Sequence, residues 1–109
     1  PGMQWPFQSW GASAVLSGHE HDYERILKNN LPYFVNGLGG ASLTPFGVAT
    51  EPGSAFRFSG NYGAMLVTAS DAAITFNFHS ITDTITALDA YTLTTKPSIN
   101  RAYVPFIKR

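Results

Sequence analysis

Short apolar runs separated by polar connections recur along the second half of this chain. Strand-like runs cover residues 62–69, 73–79 and 84–93, joined by polar segments at 70–72 and 80–83. In the middle run, Ile74, Phe76 and Phe78 alternate with polar residues, which is typical of a sheet with one buried and one solvent-exposed face. The alternation predicts that His79 lies on the polar face and takes no part in chemistry.

Two further apolar runs lie in the first half. Residues 14–16 predict a buried strand that ends at Gly18, and residues 33–35 predict a second strand after a turn at Asn29-Asn30. Residues 41–61 are rich in Ser, Thr, Pro and Gly, so we expect a long irregular loop there.

The first 13 residues suggest a short amphipathic helix. Pro6 would lie near its first turn and Gly11 would be its C-terminal stop. Trp5, Phe7 and Trp10 would form its buried side. A helix followed by an apolar strand is the order of an α/β unit.

The composition is that of one small globular domain. The chain has 109 residues, of which 44% are hydrophobic, so it can bury a core. Its net charge is zero and no apolar run approaches membrane-spanning length, so we expect neither nucleic acid nor membrane as a partner. The absence of cysteine excludes disulfides, thiolate zinc sites and thiol catalysis. The last 14 residues contain basic side chains and no acidic ones. We therefore divide the chain into a domain portion, 1–95, and a basic Pro-containing tail, 96–109.

Candidate chemistry is concentrated just after the first predicted strand. In an extended backbone, residues two apart project to the same side, so His19 and His21 can share one space while Glu20 points away. Gly18 would supply the turn and let the chain approach a bound ion closely. Two same-side imidazoles suit zinc, iron or manganese, although the spacing also fits a strand-end turn with two solvated histidines.

The string Val15-Leu16-Ser17-Gly18-His19-Glu20-His21-Asp22-Tyr23-Glu24-Arg25 resembles the last signature block of the calcineurin-like metallophosphoesterases, whose final motif is Gly-His-x-His. Its last three residues are similar to the purple acid phosphatase branch of that superfamily. The resemblance is specific at residues 15–25 and extends loosely over 1–93. It implies an α/β fold, a four-layer α/β/β/α sandwich in the complete protein, with this fragment as its mainly β C-terminal part carrying a short N-terminal helix.

The resemblance also implies a function for the complete protein, namely hydrolysis of phosphate esters with two metal ions of iron, zinc or manganese. Phosphate monoesters are the favoured substrates, and diesters are the alternative. By the family pattern, His19 ligates the second, divalent metal and His21 the first, while Asp22 and Glu24 are candidates to orient the imidazoles. The loop that contains Gly37 and Gly39 is expected near the site without supplying ligands, and no residue of the fragment is assigned as catalytic.

The upstream metal motifs of the family, Asp-x-His, Gly-Asp and Gly-Asn-His, do not occur in this sequence. We therefore expect the fragment to be inactive alone, to need the missing N-terminal part of its domain as a partner, and to self-associate through exposed strand edges. An extracellular or periplasmic location follows from the resemblance only. The alternative is a non-catalytic β-rich accessory or binding module whose histidines stabilise a turn or bind one adventitious metal.

Overall fold

The computed structural model describes residues 4–94, which form two β-sheets that face each other. The first sheet contains β1 (Val15–Ser17), β2 (Tyr23–Lys28), β3 (Leu31–Asn36) and β4 (Ser54–Phe58), in the order β1-β3-β2-β4. The second contains β5 (Gly63–Ala69), β6 (Ala73–Ser80) and β7 (Asp89–Thr94), in that order. β1 runs parallel to β3, and the other pairs are antiparallel.

The predicted α/β class is wrong, because the described residues contain strands and no helix, and hence no helix that could cross a membrane. Where the N-terminal helix was expected, the Trp10 N–H donates to the Pro6 carbonyl at 3.2 Å and the chain then turns at Gly11, whose φ is 85°. A single turn fixes several dihedral angles for few hydrogen bonds, so it does not propagate as a helix. Trp5 and Trp10 are 50% and 64% exposed, not buried.

The sequence located several strands correctly. The runs at 33–35 and 73–79 are confirmed within β3 and β6. The run at 62–69 is confirmed as β5 except for its first residue, whereas the run at 84–93 becomes a strand only at Asp89. The tail at 96–109 lies outside the described residues.

β2 was not predicted as a strand, and β4 and β1 also differ from expectation. β4 lies inside the segment predicted to be irregular, where Phe56 and Phe58 point towards the core. β1 is at the predicted place, but Leu16 is 54% exposed because this strand forms one edge of the first sheet. The prediction that β1 is buried is therefore wrong.

The turn between β2 and β3 follows the sequence signal. Asn29 and Asn30 both have positive φ angles, 51° and 63°, as a two-residue type I′ hairpin turn requires. Asparagine tolerates this left-handed conformation better than most residues. The tight turn fixes the register of β2 against β3, with Lys28 opposite Leu31.

Aromatic rings fill the space between the two sheets. Tyr23 of β2 stacks on Phe78 of β6 with centroids 4.1 Å apart, and Phe34 of β3 stacks on Phe76 at 4.5 Å. All four side chains are almost fully buried, and burial of each large apolar ring stabilises the fold by about 2 kcal/mol. The core therefore fixes the start of β2, where the histidine loop ends.

Candidate metal centre

The histidine loop, residues 18–22, connects β1 to β2 and is bent from His19 to Asp22. The left-handed residue is His19, with a φ of 83°, and not Gly18 as we expected. Left-handed backbone costs a non-glycine residue about 1–2 kcal/mol. Because the loop is not extended, residues two apart in it need not project to the same side. That both imidazoles share one space stays a prediction.

His21 is held by the segment that follows β3. Its Nδ1 atom lies 2.7 Å from the carbonyl oxygen of Ser42, and its own carbonyl accepts a hydrogen bond from the Thr44 N–H at 2.9 Å. A carbonyl oxygen can only accept, so Nδ1 carries the proton and donates it. In the neutral ring the free lone pair is then on Nε2. Metal-binding histidines are commonly oriented by such a hydrogen bond to a backbone carbonyl.

Gly37 packs directly against the histidine loop. Its N–H donates to the carbonyl of Asp22 at 3.0 Å, and a Cβ at this position would collide with the carbonyl of Glu20. Only glycine therefore fits here. An added Cβ would meet nothing within 4 Å at Gly39, and at Gly18 it would make an ordinary contact with the Asn36 carbonyl oxygen at 3.7 Å.

Asp22 and Glu24 line a cavity beside the loop. Burial raises the pKa of Asp22, and the nearby carboxylates of Glu20 and Glu24 raise it further. Within residues 4–94, no hydrogen bond joins the carboxylate of Asp22 or Glu24 to a histidine ring. Their role in orienting the imidazoles stays a prediction.

The described residues do not form a metal site by themselves. No group of three or more His, Cys, Asp or Glu side chains within 4–94 could hold a metal ion. His21 fits as one ligand because one ring nitrogen is fixed and the other is free, and the exposed His19 is a second candidate. His79 lies on β6, is partly buried, and its Nδ1 has no hydrogen-bond partner among these residues.

Sequence reasoning missed the two residues that hold His21. Ser42 and Thr44 act through their backbone carbonyl and N–H groups, which every residue type carries. No side-chain signal could have identified them. The weak signal available was the glycine-rich stretch after β3, which predicted a tight turn and which the family resemblance placed near the site.

The comparisons with known proteins support the fold and no more. No protein-family model matches the chain, and no curated protein matches it. Among solved structures, the chain is similar to GAP50, described as the anchor in the inner membrane complex of Plasmodium, with a TM-score of 0.71 and 20% sequence identity. The match covers 84% of this chain and 28% of that one, so this chain spans about a quarter of the length of the protein it resembles. At this identity the likeness establishes a shared two-sheet β architecture.

Proposed function

We propose that this chain supplies two metal-binding histidines, His19 and His21, to a complete protein that hydrolyses phosphate esters. The observation that carries the proposal is the hydrogen bond from His21 Nδ1 to the Ser42 carbonyl, 2.7 Å long. It leaves Nε2 as the ring nitrogen that can bind a metal, within a Gly18-His-x-His string that resembles the last metallophosphoesterase motif.

Each part of the loop has a role in this proposal. The Ser42 carbonyl and the Thr44 N–H fix the ring and backbone of His21, so little rotamer freedom is lost when a metal binds. Gly37 holds the loop against the end of β3. His19 is exposed and follows the glycine that ends β1, so its ring is accessible to an ion.

Two metal ions of iron, zinc or manganese, when bound, would act as Lewis acids on a phosphate ester. We propose a phosphate monoester as the substrate, in preference to a diester. A dinuclear site also needs carboxylate ligands to bridge the ions and offset their charge. We therefore propose that the missing N-terminal part of the domain contributes the remaining ligands.

The rival proposal is a non-catalytic β-rich accessory or binding module. It is favoured by the lack of a three-ligand group within residues 4–94 and by the description of the similar GAP50 structure as an anchor. In that case the His21 hydrogen bond would only stabilise the turn.

The test is made on the complete protein. Metal content by elemental analysis and hydrolysis of an aryl phosphate are measured for His19→Ala, His21→Ala and the control His79→Ala. We expect the first two variants to lose metal and turnover together and the control to keep both, with turnover within about twofold. Full metal content and turnover in both loop variants would favour the accessory module.

A further inference from the structure

A cavity of about 300 Å³ lies on the outer face of the first sheet, away from the aromatic core. Tyr23 and Arg25 of β2 face the second sheet, so Glu24, which lies between them in the strand, faces outwards into this cavity. Asp22, the last residue of the histidine loop, lines the same cavity. The segment from Thr44 to Glu51 covers it from the other side. The cavity shares Asp22, Glu24 and Thr44 with the surroundings of the histidine loop, but neither His19 nor His21 lines it.

Two carboxylates in the cavity lack partners within residues 4–94. The side chain of Asp22 belongs to a residue that is only 6% exposed, and it makes no hydrogen bond or ion pair there. The Oε2 atom of Glu24 is buried and has no hydrogen-bond partner. Leaving a buried carboxylate oxygen such as Oε2 of Glu24 without a partner is costly, and a cation in the cavity would offset that cost.

Arg57, the basic side chain in the cavity wall, compensates these carboxylates only in part. It lies opposite Glu24 on β4 and its charge lowers the pKa of Asp22, but burial and the carboxylates of Glu20 and Glu24 raise that pKa by more. Arg57 donates to Thr50 Oγ1 at 3.0 Å and to the Gly47 carbonyl at 3.1 Å, and its guanidinium lies 4.2 Å from the ring centroid of Phe46. Glu20 and Glu51 add two further carboxylates to the lining. Glu51 is paired with Lys28 at 3.7 Å, so three acidic side chains of the lining, Glu20, Asp22 and Glu24, share one guanidinium that is engaged with the covering segment.

The arrangement favours an organic cation over a metal ion. No three acidic or histidine side chains within 4–94 are placed to hold a metal. Asp22 and Glu24 lie on either side of Tyr23 in the sequence and line the same cavity, so they offer two separate anionic positions to two positive charges. The remaining wall includes Val35, Pro45 and Phe46 and is apolar. We propose that this cavity binds a short aliphatic diammonium ion, with one ammonium at each unpaired carboxylate and the alkyl chain along the apolar wall.

The proposal is tested by calorimetric titration of the 109-residue chain at neutral pH with 1,4-diaminobutane, 1-aminobutane, 1,4-butanediol and calcium chloride. We expect saturable binding of the diamine, at least about tenfold weaker binding of the monoamine, and none of the diol, because each charge-assisted hydrogen bond contributes separately. Asp22→Asn and Glu24→Gln should each weaken diamine binding about tenfold. The matched control Asp71→Asn changes an exposed acid in the turn between β5 and β6, and should leave the affinity unchanged.

Three outcomes overturn the proposal. They are the absence of saturable diamine binding, calcium binding as tight as that of the diamine, and equal weakening by Asp71→Asn, which would indicate non-specific charge attraction. If either cavity variant fails to fold, backbone amide shifts of the unaltered chain decide the question. Diamine should shift the amides of Asp22, Glu24 and Phe46, and shifts confined to other residues would contradict the assignment.

Discussion

The carboxylate of Asp89 on β7 accepts hydrogen bonds from Nε and Nη2 of Arg25 on β2, at 2.8 and 2.9 Å. The hydroxyl of Tyr23 donates to the same carboxylate at 2.8 Å. Both charged side chains are largely shielded from water. This pair therefore ties the strand that follows the histidine loop to the last strand of the opposite sheet.

Asp89→Asn should lower the free energy of unfolding by on the order of 3 kcal/mol, because it leaves the Arg25 charge without its partner in a mostly buried position. Urea denaturation followed by circular dichroism measures the change. The control is Glu51→Gln, which breaks the exposed pair with Lys28 at 3.7 Å and should cost less than about 0.5 kcal/mol. Equal stability of Asp89→Asn and the unaltered chain would show that the pair does not hold the sheets together.

The left-handed backbone at His19 predicts an unusual order of stability. His19→Gly should be more stable than His19→Ala by about 1 kcal/mol, because alanine keeps the Cβ that disfavours a φ of 83°. Both variants lack the imidazole, so their difference isolates the backbone contribution. At His79, inside β6, the order should reverse because glycine weakens a strand. Thermal unfolding of the glycine and alanine variants at His19 and at His79 measures both orders. A His19→Ala variant more stable than His19→Gly would contradict the left-handed conformation of the loop.

The exposed edge at β1 predicts association of the 109-residue chain. β1 pairs with β3 on one side, and its other side is an edge of the first sheet. Unpaired edges with apolar side chains invite pairing with another chain. Sedimentation equilibrium should show an average molar mass that rises with protein concentration. Leu16→Lys should lower this mass towards that of the monomer. The control Val48→Lys, in a fully exposed loop position, should leave the mass unchanged. A monomer at all concentrations would rule this out.

The 109-residue chain alone should hydrolyse no aryl phosphate with added zinc, iron or manganese. Two imidazoles are fewer ligands than a catalytic metal normally takes, and no larger ligand group exists within residues 4–94. Turnover is compared with that of the complete protein under the same conditions. Metal-dependent turnover that His19→Ala abolishes would show that the ligand set is complete in this chain.

The strands that sequence reasoning located carry strong local signals. β6 alternates large apolar and polar residues, and the turn before β3 has two asparagines that tolerate left-handed backbone. β4 was missed because it is five residues long and lies between loop-forming residues. Its stability comes from pairing with β2 and from the core contacts of Phe56 and Phe58, and such long-range contacts leave no periodic signal in a short segment.

The expected conformation of the histidine loop was wrong, and the assignment of His19 and His21 as metal ligands stays a prediction. The Gly-His-x-His string located the histidines, but an extended backbone was assumed where His19 is left-handed. Gly37 was expected near the loop, and the contact that requires glycine there became visible only when the two segments were seen together. The helix failed because Gly11 ends the N-terminal turn before a second turn forms.

The central claim is that His21 presents Nε2 to a metal while Nδ1 donates to the Ser42 carbonyl. Long-range ¹H–¹⁵N NMR of the histidine rings during a zinc titration of the 109-residue chain tests it most directly. We predict that the neutral His21 ring carries its proton on Nδ1 before zinc is added, and that zinc shifts its Nε2 resonance while the His79 nitrogens stay in place. A proton on Nε2 of His21, or zinc-dependent shifts at His79 alone, would contradict the account.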